Sequence, residues 1–185
     1  MHILQLVPSL DIGGVERGVV DLANGLIHRG HRVTVVSSGG ALVESLHRLG
    51  ASHVTMPVHQ KSPWVLWQYL PALCQLIRDT HVDLIHARSR VPAWLGYLAS
   101  RRTQVPFVTT CHGFYAPHVA SRVMTWGRTI IVPSQVLGRY LIDRFGTPPE
   151  RLRVIPRGVD LTQFPLGPAP ARHAAPWRIG VIQRS

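Results

Sequence analysis

Four short strings in this sequence carry groups able to do chemistry on an anionic or hydroxylated ligand. The first is Asp11-Ile12-Gly13-Gly14-Val15-Glu16. Its two glycines let the backbone approach a ligand closely, while the N–H groups opening the helix that follows face negative charge. A phosphate or a sugar oxygen suits that position; so does a plain strand-to-helix turn. The second string is His86-Ala87-Arg88-Ser89-Arg90-Val91-Pro92-Ala93-Trp94. It offers two guanidiniums and a hydroxyl, and arginine grips carboxylate or phosphate with two parallel hydrogen bonds. Solvated surface charge is its alternative. The third, Thr109-Thr110-Cys111-His112-Gly113-Phe114-Tyr115, sets an imidazole just ahead of a glycine. Such a ring can hydrogen-bond a substrate hydroxyl or meet a developing charge near neutral pH, although a single histidine also serves in packing. The fourth is Val154-Ile155-Pro156-Arg157-Gly158-Val159-Asp160-Leu161-Thr162-Gln163-Phe164. His118 and the remaining histidines fall in no motif.

The elements that must hold these strings alternate between strand-like and helical apolar patterns, which is the signature of an α/β fold with a parallel sheet. Strands are predicted at His2–Val7, Arg32–Ser37, Val54–Met56, Asp83–His86, Phe107–Thr110, Thr129–Val132 and Arg153–Ile155. Helices are predicted at Val15–Arg29, where Val15, Val19, Leu22 and Leu26 share a face, at Ala41–Leu49 closed by Gly50, and at Pro63–Arg78. Two more follow, at Pro92–Ser100 and, capped by Ser134, at Gln135–Phe145. Pro71 inside the third helix predicts a kink or a division into two pieces. In an open parallel sheet ligands collect beyond the carboxyl ends of the strands, and all four strings lie there.

The 185 residues fit one domain with little room for a second. Apolar types at 45% and charged types at 16% exclude a disordered chain. No apolar run reaches the roughly 18 to 20 residues that a membrane span needs. The N-terminus has neither a basic leader nor a small-residue cleavage site, which places the chain in the cytoplasm. Two cysteines, Cys74 and Cys111, show no metal-ligand spacing and build no disulfide framework. The net charge of +11 comes from 19 arginines and Lys61 against nine acids, and ten of the arginines lie from residue 121 onward. That excess attracts phosphates, acidic lipids or nucleic acid. The texture changes at Pro165-Leu166-Gly167-Pro168-Ala169-Pro170-Ala171, which is too rich in proline to continue an element. The expected organisation is therefore a Rossmann-like domain at 1–165, a linker at 166–176, and at 177–185 the first strand of a truncated second domain.

Taken together, the order Gly-Gly-x-Glu, a histidine ending the fifth strand, and the Val-Ile-Pro-Arg-Gly-Val-Asp segment with Phe164 beyond it resembles the N-terminal half of a family 4 glycosyltransferase of the two-Rossmann-domain (GT-B) type. Gly30-His31-x-Val33 ahead of the second strand matches as well. The His86-Ala-Arg-Ser-Arg-x-Pro-Ala-Trp94 and Thr109-Thr-x-His-Gly-x-Tyr115 strings resemble a bacterial branch concerned with cell-surface polysaccharide or lipopolysaccharide. The resemblance implies transfer of a hexosyl unit, with retention, from a nucleotide-sugar donor to a glycan or lipid-linked acceptor in cell-envelope synthesis, with no obligatory metal. It puts Gly13 and Gly14 beside the donor diphosphate, His112 against the donor sugar as the catalytic residue, and Arg184 on the donor phosphates. Arg88, Ser89, Arg90 and Tyr115 become acceptor-side residues. Peripheral contact with the inner face of an anionic membrane is also implied. No Asp-x-Asp metal pair occurs.

Two departures stand out. Gln183-Arg184-Ser185 replaces the usual Gly-Arg-Leu, and the donor-binding half with its Glu-x7-Glu region is absent, so the chain by itself is expected to be inactive. The rival reading is a basic Rossmann-like module that binds nucleic acid or acidic membrane without catalysis. Against nucleic acid stand the lack of a recognised binding motif and of aromatic residues among the basic ones. A nicotinamide oxidoreductase is a third reading, but the spacing is Gly-Gly-x-x-x-Gly and Val36-Ser37-Ser38 supplies no acid for a ribose.

Overall fold

The structure is a computed structural model and describes residues 1–60 and 62–158. The expected linker at 166–176, the strand at 177–185 and Arg184 lie outside the described residues. Seven strands form one wholly parallel sheet: β1 (His2–Leu6), β2 (Arg32–Ser37), β3 (Ser52–Thr55), β4 (Leu84–Ala87), β5 (Phe107–Thr110), β6 (Thr129–Val132) and β7 (Leu152–Val154). Their spatial order is β3-β2-β1-β4-β5-β6-β7, so the winding reverses between β1 and β4. The sheet is Rossmann-like, as expected.

Each face of the sheet carries its own core. Leu4 and Leu6 of β1 and Val36 of β2 point one way, into a cluster completed by Ile85, Phe107, Ile130 and the helices α3 (Pro63–Asp79), α4 (Arg90–Thr103) and α6 (Gln135–Phe145). Val33 and Val35 point the other way, against Val19, Val20 and Ala23 of α1 (Gly14–Ile27) and Leu46 of α2 (Val43–Arg48). That two-residue alternation, held in register by Leu4↔Thr34 and Leu6↔Val36, is what a strand covered on both faces requires. Each such leucine or valine contributes about 1.5–3 kcal/mol through burial.

Within the described residues every expected strand and helix is present, while several boundaries move. The third helix is neither split nor shortened by Pro71: α3 runs unbroken from Pro63 to Asp79. Proline removes one backbone bond, but Leu70, Leu73, Cys74 and Ile77 bury one face of the helix, and Pro71 itself faces solvent. Helix α4 begins at Arg90, two residues before Pro92, because proline is tolerated in a first turn. It continues to Thr103, where Gln104 turns left-handed with φ 61°. Asp83 precedes β4 instead of opening it; its carboxylate accepts from the His2 N–H at 2.6 Å. A short helix α5 (Val119–Arg122) and a 3-10 turn (Val123–Thr125) were not anticipated by the apolar pattern. They seat Ser121, Val123 and Met124 in the interior. The Ser134 cap is made as expected, its Oγ accepting from the Leu137 N–H at 3.3 Å.

Candidate active-site cleft

Beyond the carboxyl ends of β1, β4, β5 and β7 lies a cleft of about 480 Å³ whose lining includes Gly14, Gly18, His86, Arg88, His112 and Arg157. Gly14 and Gly18 come from the start of α1, His86 and Arg88 from the end of β4, His112 from the loop after β5 and Arg157 from the segment after β7, and the reversal in strand order sets β1 and β4 side by side. The β1–α1 loop is stitched to the β2–α2 loop. The Leu10 N–H donates to Gly39 O at 2.7 Å, the Leu42 N–H to Leu10 O at 2.8 Å, and the Ser38 hydroxyl to Pro8 O at 2.8 Å. Gly40, at φ +139°, lies so close to the Leu10–Asp11 peptide that a Cβ there would strike backbone. Gly13 and Gly14 are thereby held at the start of α1. A side chain on Gly13 would meet the Glu16 carboxylate, and a Cβ on Gly14 would sit 3.0 Å from Nη1 of Arg157.

His112 lies two residues beyond the end of β5. Its Nδ1 receives a hydrogen bond from Nη2 of Arg157 at 3.0 Å, and Nη1 of the same guanidinium approaches Gly14 O at 3.4 Å. A guanidinium can only donate, so Nδ1 must accept, and the ring proton of neutral His112 resides on Nε2. Nε2 is buried and has no hydrogen-bond partner among the described residues. Burial first, and then the Arg88 and Arg157 charges, push the His112 pKa down to about 4. At neutral pH the ring is an uncharged donor lining the cleft. It therefore offers a hydrogen bond and not a proton.

His86 is buried in the lining of the same cleft, with Nε2 2.7 Å from Oγ1 of Thr110. Its pKa falls to about 3, chiefly through burial and further through Arg88 and His112. Arg88 is 8% exposed, and burial followed by the nearby Arg157 charge lowers its pKa to about 10, with Asp21 and Glu16 acting in the opposite sense.

The sequence string containing Arg88, Ser89 and Arg90 is divided by the structure. Arg88 faces the cleft, whereas Ser89 and Arg90 line a separate depression of about 330 Å³ with Gln60, Trp94 and His118. Tyr115 belongs with this second group: the Arg90 guanidinium lies 4.9 Å from its ring centroid, and its carbonyl accepts from the Tyr140 hydroxyl at 2.7 Å. So Gly14, Arg88 and His112 meet in one place, and Ser89, Arg90 and Tyr115 in another. Arg157, His86, Thr110 and Gly18 were not singled out from sequence. Arg157 stands inside the Val-Ile-Pro-Arg-Gly segment, and its contacts with His112, 45 positions away, and with Gly14, 143 positions away, leave no local pattern. Among the described residues no cluster of His, Cys, Asp or Glu is arranged to hold a metal ion, and no helix is long and apolar enough to cross a membrane.

A seven-stranded parallel sheet with this order and this cleft is one Rossmann-like half of the GT-B glycosyltransferase architecture. It superimposes on a crystal structure of a glycosyltransferase from Rickettsia africae with a TM-score of 0.79 and 33% identity, over 89% of this chain and 45% of that one. The chain belongs to glycosyltransferase family 4, whose sequence profile matches residues 12–163. It is also 28% identical to a D-inositol 3-phosphate glycosyltransferase of Kineococcus radiotolerans, over 92% of this chain and 46% of that protein. Anabaena HepE, crystallised with UDP-glucose, shares the fold at a TM-score of 0.73 and 22% identity, over 91% and 47% of the two chains. The chain thus spans about half the length of the relatives it matches.

Proposed function

We propose that this domain is the acceptor-side half of a retaining glycosyltransferase that moves a hexosyl unit from a nucleotide-sugar donor to a hydroxyl of a glycan or lipid-linked acceptor in cell-envelope polysaccharide synthesis. The reaction needs no obligatory metal. The observation that carries the reading is the neutral imidazole of His112, a ring that lines the cleft together with Gly14 and keeps a buried Nε2–H without a partner among the described residues. A glycosyl-transfer transition state gathers positive charge at the sugar ring. A protonated histidine would oppose that charge, whereas an uncharged Nε2–H donor orients a sugar hydroxyl at no electrostatic cost. Burial first, and then the Arg88 and Arg157 charges, keep the ring neutral.

In this reading Gly13 and Gly14, at the start of α1, lie beside the donor diphosphate and the acceptor, and Arg184 contacts the donor phosphates from the second domain. Arg88 serves the acceptor side within the cleft, and Ser89, Arg90 and Tyr115 serve it from the adjoining depression. The enzyme works in the cytoplasm, meeting a lipid-linked acceptor at the inner face of an anionic membrane. Trp64 and Trp67, both about three-quarters exposed near the start of α3, support such contact. Because the second half completes the cleft, the domain alone is inactive.

The test is turnover of nucleotide-sugar by the two-domain enzyme carrying His112→Ala. If the hydrogen bond acts mainly in the transition state, turnover falls on the order of 10²- to 10³-fold with the fold intact. Rates close to wild type reject the role.

A further inference from the structure

Arg88 is a buried cation that forms no ion pair among the described residues. Its guanidinium lies against α1, where only the absence of a side chain at Gly18 admits it: a Cβ there would be 2.9 Å from Nη2. Its Nε is buried and donates to no acceptor among the described residues. The ion pairs formed there join Arg17 to Asp21 and Arg48 to Glu44, so no carboxylate bridges to Arg88. Asp21 and Glu16 attract it from further off, and Arg157 repels it more strongly than either attracts. The neighbours beneath it, His86 and Thr110, are uncharged and bonded to each other.

Burying one guanidinium and then setting a second beside it opposes folding on two counts, desolvation and like-charge repulsion. Both groups line the same cleft. An anion between them would reverse both effects, and the planar fork of arginine matches the oxygens of such a group. We propose that Arg88 and Arg157 form an oxyanion-binding subsite in the cleft, which takes one phosphate or carboxylate group of a molecule entering it. The inference rests on the cleft being the ligand site proposed above and adds the chemical class that it holds. Arg88 anchors the subsite because its buried Nε has no acceptor among the described residues; Arg157 lends charge while keeping its bond to His112.

The anion has two possible sources, the diphosphate of a donor or an acidic group on an acceptor, and a binding experiment on the chain itself separates them. Titration calorimetry at low ionic strength would use inorganic pyrophosphate and glycerol 3-phosphate as probes, with wild type and Arg88→Met compared. Binding is expected in wild type and should weaken about tenfold or more in the variant, the loss of one charge-assisted contact. The variant should melt at or above the wild-type temperature, since it removes an unpaired buried charge. Tighter binding of pyrophosphate assigns the subsite to the donor, and tighter binding of the monoester to the acceptor. A second measurement needs no variant: the side-chain Nε–H resonance of Arg88 should shift as pyrophosphate is added. Absence of binding by wild type, equal binding by Arg88→Met, or an unmoved Arg88 resonance overturns the proposal. No sugar is transferred in either experiment, so failure here leaves the transferase reading to be judged by the His112→Ala assay alone.

Discussion

The guanidinium of Arg157 and the imidazole of His112 are 45 positions apart in the chain and 3.0 Å apart in space. Through that bond the segment after β7 fixes which nitrogen of the histidine carries the proton, and through the approach of Nη1 to Gly14 O it also reaches the first loop of the sheet. A chemical property of one residue is thereby set by a residue from the last described segment of the domain.

The first prediction concerns that bond. In ¹⁵N spectra at neutral pH, His112 should show the neutral tautomer protonated on Nε2. Its titration midpoint should lie near 4, against an ordinary value of 6.5. Arg157→Gln removes a nearby positive charge and the donor to Nδ1, so the midpoint should rise toward the ordinary value and the tautomers should mix. A midpoint and tautomer that ignore the substitution would show that Arg157 does not control the ring.

Acid sensitivity follows from the same groups. Folding lowers the pKa of His86 to about 3 and that of His112 to about 4, so between these values and 6.5 the unfolded chain binds more protons than the folded one. Stability is then fully present above pH 6.5 and declines as pH falls through that window. The slope is at most about 1.4 kcal/mol per pH unit for each group. Urea melts from pH 7 to pH 4 should show the decline, and His112→Gln should reduce it. An unchanged midpoint over that range would contradict the burial of both rings.

Much of this architecture was legible in the residues themselves. Two-residue alternation in Leu4 and Leu6 and in Val33 and Val35, and the spacing of Leu70, Leu73, Cys74 and Ile77, are local signals that packing then reinforces. The Ser134 cap is equally local. What could not be read depends on partners distant in sequence. Pro71 argues against a continuous helix until the face it interrupts is seen to be buried. The short helix at Val119–Arg122 has too few residues for a period. In the cleft, His112 and Gly14 stood out by type, but whether Arg88 turns with Arg90 or away from it is decided by the start of α4, and the importance of Arg157 by a fold-level contact.

The two thiols should be chemically silent in the folded protein. Cys111 is fully enclosed, its Sγ 3.7 Å from Met124 O, and burial pushes its pKa up to about 12. Cys74 is buried in the same core, and burial raises its pKa too, against a smaller opposing pull from Arg78 and Arg102. Since the thiolate is the reactive form, neither should react with Ellman's reagent at pH 8 until denaturant is added, whereupon both should titrate. Prompt reaction of one thiol in native protein would place it nearer the surface than the structure does.

Two glycine-to-alanine changes in helices should differ in sign. In α4, a Cβ on Gly96 would lie 2.5 Å from Cδ1 of Leu6 and 3.1 Å from Cε2 of Phe107, in the seam where the helix crosses β1 and β5. In α1, a Cβ on Gly25 would meet only Nη1 of Arg29, at 3.7 Å, the far end of a flexible chain. Alanine gains about 1 kcal/mol over glycine in either helix through propensity. At Gly25 nothing opposes that gain, so the melting temperature should rise, by about 2–4 °C for each kcal/mol in a domain of this size. At Gly96 overpacking costs about 1–3 kcal/mol, and because the facing atoms belong to the buried core side chains of Leu6 and Phe107, the cost should exceed the gain. Thermal melts of Gly25→Ala and Gly96→Ala measure both. If Gly96→Ala proved as stable as wild type, the close approach of α4 to the sheet, which brings Arg88 and Ser89 to the strand ends, would be wrong.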